Sequence, residues 1–255
     1  MLGIETMFIT FCILSEEKGM DIFMKKDAKF ETLIKEKSYK SEERWYPTTV
    51  EDFRKGFALD SSIEGYHPLV DNLAYSLQYL EFIEKELSEL VLSNVIYIMH
   101  VKNYVITSMG ILEGIFTNII KSKGWWKKRD TESQMTSQAE QKVSGGTTYV
   151  IKTEIMKKVD AFDDKMTLDE MIKCLAHHHD ALDVDHLVYP ALKRLRDLRN
   201  RIHLQKGETY NDHDYNAFDY QVKKEMQSIL YAILCSPNVT NDRHIIHYDF
   251  LKPDK

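Results

Sequence analysis

The hydrophobic positions in the middle of the chain recur with the period of an α-helix. Between Leu69 and Leu90 the leucines are spaced by three, four or seven residues, which places them on one helix face. From Val91 to Lys123 apolar residues are frequent enough to predict a largely buried helix. The two helices can pack on each other only if the chain turns, so we expect a break near Leu90–Asn94. The alternative is one very long bent helix.

Signals for helix ends predict further helices on both sides of this pair. Thr48 with Glu51, and Thr167 with Glu170, have the spacing of a capping box, in which two side chains bond each other's backbone. Pro190 suits the first turn of a later helix. The additional helices are expected over residues 48–58, 167–181, 190–205 and 214–235.

The polar segment Asp130–Gly146 is rich in Ser, Thr and Gln and ends in two glycines, which predicts a long loop. The β-branched residues of Thr147–Ile155 suggest a short strand, for which the sequence offers no clear partner. Gly124 follows two lysines and is typical of a helix C-cap.

Composition narrows the fold class further. The chain of 255 residues has 43% apolar and 29% charged residues, which is typical of a globular protein, and its 10 Gly and 5 Pro are too few for a β-sandwich or barrel. We therefore predict an all-α fold, an antiparallel helical bundle of four to five long helices. Residues 1–48 would form an irregular N-terminal extension, 49–235 the bundle with a mobile loop near 127–148, and 236–255 an irregular or β-like tail.

The cysteines and the N-terminal residues bear on the compartment. Cys12, Cys174 and Cys235 are odd in number and widely spaced, which fits a reducing cytosol better than a disulfide framework. The apolar run Met7–Leu14 is too short to span a membrane. We expect it to be buried, with a signal peptide as the alternative. We therefore expect a cytoplasmic protein without a transmembrane helix and without a membrane partner.

The segment Lys193–Leu204 carries five cations against a single acid, Asp197. On a helical wheel Arg196, Arg199 and His203 line one edge of the apolar face, with Asn200 just beyond them. A guanidinium so close to the buried face needs a partner or a groove. Two further arginines of the segment, Arg194 and Arg201, point to the opposite flank and are candidates for RNA binding.

This edge suggests phosphate chemistry. Arginine binds phosphate with two parallel hydrogen bonds, and histidine titrates near neutral pH, so together they can neutralise a phosphate and move a proton. A structural alternative remains open. Arg199 and His203 would then form an interface pair, and Arg196 would meet an acid on a neighbouring helix. The structural alternative needs no substrate.

The sequence Arg-Asp-Leu-Arg-Asn-Arg-Ile-His of residues 196–203 resembles the signature of the HEPN superfamily (higher eukaryotes and prokaryotes nucleotide-binding). That signature is an arginine, four to six residues and a histidine, often with asparagine directly after the arginine. Arg199 and Asn200 match the usual pair but leave only three residues before His203, whereas Arg196 leaves six. The motif is therefore either Arg196…His203, with Arg199 and Asn200 as additional contacts, or the domain has drifted from the family's pattern.

The resemblance implies a helical bundle and a metal-independent endoribonuclease of a toxin–antitoxin or phage-defence system. It implies a homodimer, RNA as substrate, an antitoxin or other protein partner and no cofactor. His203 would be the general acid or base, Arg199 or Arg196 would neutralise the phosphate, and Asn200 would orient a group. A non-catalytic HEPN-like scaffold, which binds a protein or a nucleotide, is the alternative.

Two further clusters could carry chemistry. The histidines and acids of His177–His186 suggest a metal-dependent phosphohydrolase, although a solvated helix end has the same composition. A basic segment with two tryptophans could follow single-stranded RNA, or could be a helix end whose cations match the helix dipole and whose tryptophans cover the core. The net charge of −6 limits any RNA contact to local patches. The segment comprises Lys121, Lys123, Trp125, Trp126, Lys127, Lys128 and Arg129.

Overall fold

The computed structural model describes Trp45 and residues 47–142, 148–202 and 213–253, and within them the fold is mixed. The α-helices are α1 (Val50–Gly56), α2 (Tyr66–Glu89), α3 (Asn94–Ser122), α4 (Leu168–His177), α5 (Val188–Arg199), α6 (Asp214–Ala217) and α7 (Tyr220–Leu234). Two long strands, β1 (Lys128–Lys142) and β2 (Thr148–Asp163), form an antiparallel sheet between α3 and α4. The prediction of an all-α bundle of four to five long helices is therefore wrong. The predicted N-terminal extension 1–48, with Cys12 and Met7–Leu14, lies largely outside the described residues.

The helix pair α2 and α3 forms the centre of the core, and the predicted break between them is confirmed. Helix α2 ends at Glu89, and the Leu90 N–H closes it by donating to the Glu86 carbonyl at 3.0 Å. The leucines that predicted α2 point inward, and Leu73, Leu77 and Leu80 are buried. Helix α3 buries side chains along most of its length because other helices pack around it.

Helices α4, α5 and α7 each pack an apolar face against α3. Buried residues of these faces include Ile172 and Leu175 in α4, Leu192 and Leu195 in α5, and Leu230 in α7. One core therefore holds all the long helices, and it fixes the side of α5 that faces solvent. Arg194 lies on that side, whereas Arg196 and Arg199 lie half-buried at its edge.

The helix starts follow capping chemistry, with one shift from prediction. At α4 the Thr167 hydroxyl accepts from the Glu170 N–H at 3.3 Å and the Glu170 carboxylate accepts from the Thr167 N–H at 2.7 Å, which confirms the predicted capping box. At α1 the cap is Thr49, whose hydroxyl accepts from the Asp52 N–H at 3.2 Å. Both Thr48 and Thr49 have an acid three residues later, so the sequence alone does not choose between them.

Two predicted helices end earlier or break. Helix α4 stops at His177, and the chain continues as a 3₁₀ turn over His179–Ala181. The predicted helix 214–235 is interrupted after α6, where Phe218 is buried and Asp219 caps α7 by accepting from the Val222 N–H at 2.8 Å. Burial of one aromatic ring and a new cap together explain the break. The predicted end of the helix at Gln205 lies outside the described residues.

The segment predicted as a polar loop forms strand β1 instead. It pairs in antiparallel register with β2 from Lys128 opposite Asp163 to Lys142 opposite Thr148, with irregularities before Thr131 and before Met135. The suggested strand at 147–155 is thus real but longer, and its partner is the segment taken for a loop. Both faces of this sheet are exposed, so β1 carries polar Ser, Thr and Gln residues and lacks the apolar alternation that would have predicted a strand.

The C-terminal tail is ordered and packs on α1 and α7. Its main element is a 3₁₀ helix over Asp242–Leu251, in which Tyr248 is buried and stacks on Phe53 with ring centroids 6.0 Å apart. Asn241 donates its backbone N–H to the Gly56 carbonyl at 3.0 Å. The predicted irregular or β-like tail is thus mainly helical, with one bridge between Phe57 and Thr240.

Helix α3 is the one helix of the described residues that is long and apolar enough to cross a membrane by length and composition. Half of its most apolar stretch is buried inside the protein. The core helix of a folded domain has the same properties, so α3 by itself is weak evidence for a membrane span.

Two glycines of α3 allow a matched test of its packing. A Cβ at Gly110 would meet no atom within 4 Å, whereas one at Gly114 would lie 2.9 Å from Leu69 Cδ1 and 3.2 Å from Leu73 Cδ2. Alanine favours a helix over glycine by about 0.5–1 kcal/mol. We expect Gly110→Ala to raise the free energy of unfolding by that amount, and Gly114→Ala to gain less because the leucines must move. Urea unfolding measures both, and equal gains would contradict this packing.

Candidate functional site

The predicted site lies at the C-terminal end of α5. Arg199 is the last residue of the helix and Asn200 opens a 3₁₀ turn that runs to Ile202. His203 lies outside the described residues. The buried Tyr189, Leu192 and Leu195 hold the opposite side of α5 in the core, so its arginines lie at the edge of the buried face.

Arg199 has an acidic partner within the same chain. Its Nη2 donates to Glu113 Oε2 on α3 at 3.0 Å, and both side chains are 35% exposed. The sequence predicted that a guanidinium in this position needs a partner or a groove, and the homodimer that the resemblance implies would have offered one on a second subunit. Glu113 meets that need, so the position of Arg199 no longer argues for a dimer.

Arg196 is more enclosed and meets two carboxylates. It pairs with Asp169 at the start of α4, and its Nη2 donates to Asp197 at 2.7 Å. Its side chain is 21% exposed, and its Nε is buried without a partner among the described atoms. A hydrogen bond from Lys173, together with the charge of Arg196, lowers the pKa of Asp169. Arg196 thus ties α5 to α4, as the structural alternative proposed.

The arginines on the other flank also have partners. Arg194 pairs with Glu225 on α7 at a site where the arginine is exposed. Arg201 is half-buried and also has an interaction partner. The three arginines of α5, Arg194, Arg196 and Arg199, are therefore each paired with an acid of the same chain.

The two tryptophans of the basic segment hold the root of the β-hairpin. Trp126 Nε1 donates to the Asp164 carbonyl at 3.0 Å. Trp125 stacks on His178, with ring centroids 3.9 Å apart and an interplanar angle of 11°. Lys121 lies 4.9 Å above the Trp126 ring and 3.3 Å from an Asp163 oxygen. Both rings are half-buried and cover part of the core. This agrees with the alternative in which the segment is a helix end rather than an RNA-binding surface.

The cations at the start of β1 are paired as well. Lys127 lies 3.1 Å from Glu170 and 3.6 Å from Asp164, and Arg129 lies 3.5 Å from Asp164. Lys123 and Lys128 are exposed and remain available to solvent. The segment is therefore built mainly as an anchor between the hairpin and α4.

Glu170 is the centre of this anchor. Hydrogen bonds from the Thr167 backbone, Lys127 and the Thr167 hydroxyl lower the pKa of Glu170 to about 2. In turn, the hydrogen bond and charge of Glu170 raise the pKa of Lys127. The same carboxylate therefore caps α4 and holds the hairpin root.

The histidine cluster shows no metal geometry. Among residues 47–142, 148–202 and 213–253, no group of three or more His, Cys, Asp or Glu side chains is placed to hold a metal ion. His178 is used in stacking on Trp125, His179 Nδ1 lies 2.8 Å from Asp180 Oδ1, and the His179 and His186 rings are 4.4 Å apart. The geometry gives the phosphohydrolase alternative no support.

The acids that complete these pairs were not identified from the sequence. Glu113 is the only acidic residue of α3, and a lone acid in a mostly apolar helix signals a buried or half-buried pair. Asp169 and Glu225 gave no comparable signal, because acids are common on exposed helix faces. A search for isolated charges in apolar helices would have found Glu113 but not the other two.

The lowered pKa of Glu170 predicts a pH dependence of stability. Its pKa falls from 4.5 to about 2 on folding, so the stabilisation by its charge is present above pH 4.5 and is lost as the pH falls towards 2. Glu170→Gln keeps the cap geometry but removes the charge. In urea unfolding, wild type should exceed this variant in stability above pH 4.5, and the difference should shrink towards pH 2. A difference that is the same at all pH values would contradict the anchor.

Comparisons with known proteins add no relative. No protein-family model, no curated protein and no solved structure matches the chain. The functional argument therefore rests on the residues of this chain and their geometry.

Proposed function

We propose that the chain binds RNA at the C-terminal end of α5 and cleaves it without a metal ion, through Arg199, Asn200 and His203. The observation that carries the proposal is the position of Arg199. Its guanidinium is 35% exposed, is held by one carboxylate among the described residues, and directly precedes Asn200. The resemblance of residues 196–203 to the HEPN signature supports the same assignment.

The contacts favour Arg199 over Arg196 as the phosphate-binding arginine. A guanidinium has five N–H donors. Glu113 accepts from one amino group of Arg199, so donors remain for a phosphate, and the ion pair fixes the direction of the group. Arg196 already meets Asp169 and Asp197. The proposed motif is therefore Arg199-Asn200 followed by His203, with Arg196 as a structural residue.

The proposed reaction is attack of an RNA 2′-hydroxyl on the adjacent phosphate. The hydroxyl oxygen forms a new bond to phosphorus as its proton leaves, and the bond from phosphorus to the 5′-oxygen of the next nucleotide breaks. His203 would accept the first proton or supply one to the departing oxygen. Arg199 would neutralise the phosphate, and Asn200 would orient the attacking or leaving group. A second copy of the chain would supply the complementary acid or base.

The proposal includes the biological setting that the resemblance implies. The chain would act in the cytoplasm as a homodimeric toxin or defence module, and an antitoxin or other protein would control it. RNA is the proposed substrate, and the proposed attack of the 2′-hydroxyl on the adjacent phosphate needs no cofactor.

A second candidate function is a non-catalytic interaction scaffold. It is favoured by the pairing of most predicted RNA-binding cations with acids of the same chain. It is also favoured by exposed apolar side chains on α2, where Tyr75, Tyr79 and Phe82 recur on one helix face. In this alternative the Arg199–Glu113 pair would hold α5 to α3 and do nothing else.

The catalytic proposal predicts distinct effects for three variants in cleavage of a labelled RNA. His203→Ala should lower the rate by roughly 10²–10⁴-fold, the usual contribution of a general acid or base. Arg199→Ala should lower both cleavage and RNA affinity. Arg194→Ala should change little, because the Arg194 side chain is exposed and lies on the flank of α5 opposite the motif edge. Circular dichroism should confirm that all three remain folded.

A fourth variant tests whether Arg196 is structural rather than catalytic, and a chelator tests whether cleavage needs a metal ion. Arg196→Ala should lower the melting temperature, because α5 loses its ion pair with Asp169 of α4, while the remaining folded protein should still cleave RNA. Wild-type cleavage should persist in excess EDTA. The scaffold function replaces the catalytic one if wild type cleaves no RNA, or if His203→Ala cleaves as fast as wild type.

A further inference from the structure

The β-hairpin extends from the helical body with both faces open. Apart from Thr131 and Val159, which are half-buried, every described side chain of β1 and β2 is exposed. The hairpin is fixed at its root, where Trp126 donates to the Asp164 carbonyl and Asp164 donates its N–H to the Lys127 carbonyl at 2.9 Å. Strands of 15 and 16 residues reach about 50 Å from that root.

The two faces of the hairpin differ in chemistry. In an antiparallel pair, residues directly opposite each other point to the same face, and successive residues alternate between faces. Ala139 opposite Ile151 and Met135 opposite Ile155 therefore share one face, with the polar pair Ser137 and Thr153 between them. Tyr149 extends this face towards the hairpin tip. The other face is mainly polar or charged, as at Gln138 opposite Lys152 and Thr136 opposite Glu154, although it also includes Val150 and Met156.

The apolar face is unfavourable in water. A two-stranded hairpin is at best marginally stable unless it packs against something. Met135, Tyr149, Ile151 and Ile155 are each roughly half-exposed in the single chain. An exposed apolar patch with a polar reverse side marks an interaction surface.

We propose that this apolar face binds the same face of a second copy of the chain, so that the two hairpins stack as a dimerisation arm. Charge favours this occupant over a nucleic acid, because β1 and β2 together contain equal numbers of basic and acidic residues. A neutral surface neither repels its own copy nor attracts a polyanion. A flat β-face also matches itself, since two sheets pack face to face about 10 Å apart.

The area available sets the strength of the contact. A hairpin about 50 Å long and about 10 Å wide offers roughly 500 Å² on one face, of which the apolar stretch from Tyr149 to Ile155 is about half. Stacking of two complete faces would bury about 1,000 Å² in total, at the low end for specific protein interfaces. The dimer should therefore be reversible and should form as the protein concentration rises. This inference does not depend on the RNA site, because the arm contains none of Arg199, Asn200 and His203.

The test is sedimentation of the full chain over concentrations from below to above micromolar. Wild type should shift from monomer to dimer. The double variant Ile151→Lys/Ile155→Lys, which places charges on the apolar face, should remain a monomer and keep its helical circular dichroism signal. Gln138→Lys, on the opposite face of the same hairpin, should dimerise like wild type.

Three results would overturn the arm. They are a wild type that stays monomeric throughout, a double variant that dimerises as well as wild type, and an equal loss of dimer in the double variant and in Gln138→Lys. RNA cleavage, measured on the same samples, reports on the Arg199 site separately. Loss of the dimer in the double variant should also lower cleavage, because the proposed reaction takes its complementary acid or base from a second copy. A monomeric double variant that cleaves as fast as wild type would contradict that step of the reaction and still support the arm.

Discussion

Burial of α3 is the constraint on which the rest of the structure depends. Helices α2, α4, α5 and α7 all pack on it, so most of its side chains between Val101 and Ile120 are buried. A charge on such a helix needs a partner, and Glu113 is the only acid it carries. Arg199 at the end of α5 supplies that partner, and the pair fixes the edge where the candidate site lies. The packing of α3 in the core therefore also determines where the candidate site lies.

The second constraint is the attachment of a long hairpin to a helical body. The hairpin begins after the end of α3 and ends before the start of α4. At this root a half-buried indole, the N-terminal cap of α4 and several ion pairs hold the hairpin to the helices. Glu170 serves both the cap of α4 and the contact with Lys127, which is why its pKa is so low. Cations that seemed suited to RNA in the sequence are therefore used mainly to join two elements. The free part of the hairpin is left as a surface with one apolar face.

The helical core could be predicted from the sequence because period and caps act locally. Helix α2 was predicted from the spacing of Leu73, Leu77 and Leu80, and the start of α4 from Thr167 with Glu170. Each of these signals depends only on residues within a few positions of one another. Strand β1 could not be predicted in the same way. Its Ser, Thr and Gln residues face water on both sides, so no apolar alternation marks it, and its stability depends on β2. The helical wheel correctly placed Arg199 and Arg196 at the edge of the buried face of α5. Their acidic partners, Glu113 and Asp169, are distant in sequence, so the local pattern could not identify them.

The central claim is that Arg199 acts on RNA and does not merely hold α5 to α3. The most direct measurement is RNA cleavage by the exchanged double variant Glu113→Arg/Arg199→Glu, with its melting temperature measured beside wild type. The exchange keeps an ion pair between the two helices but moves the cation from α5, where it directly precedes Asn200, to α3. The account predicts a folded protein with a melting temperature close to that of wild type and with cleavage strongly reduced. A folded exchanged variant that cleaves RNA as fast as wild type would contradict the account.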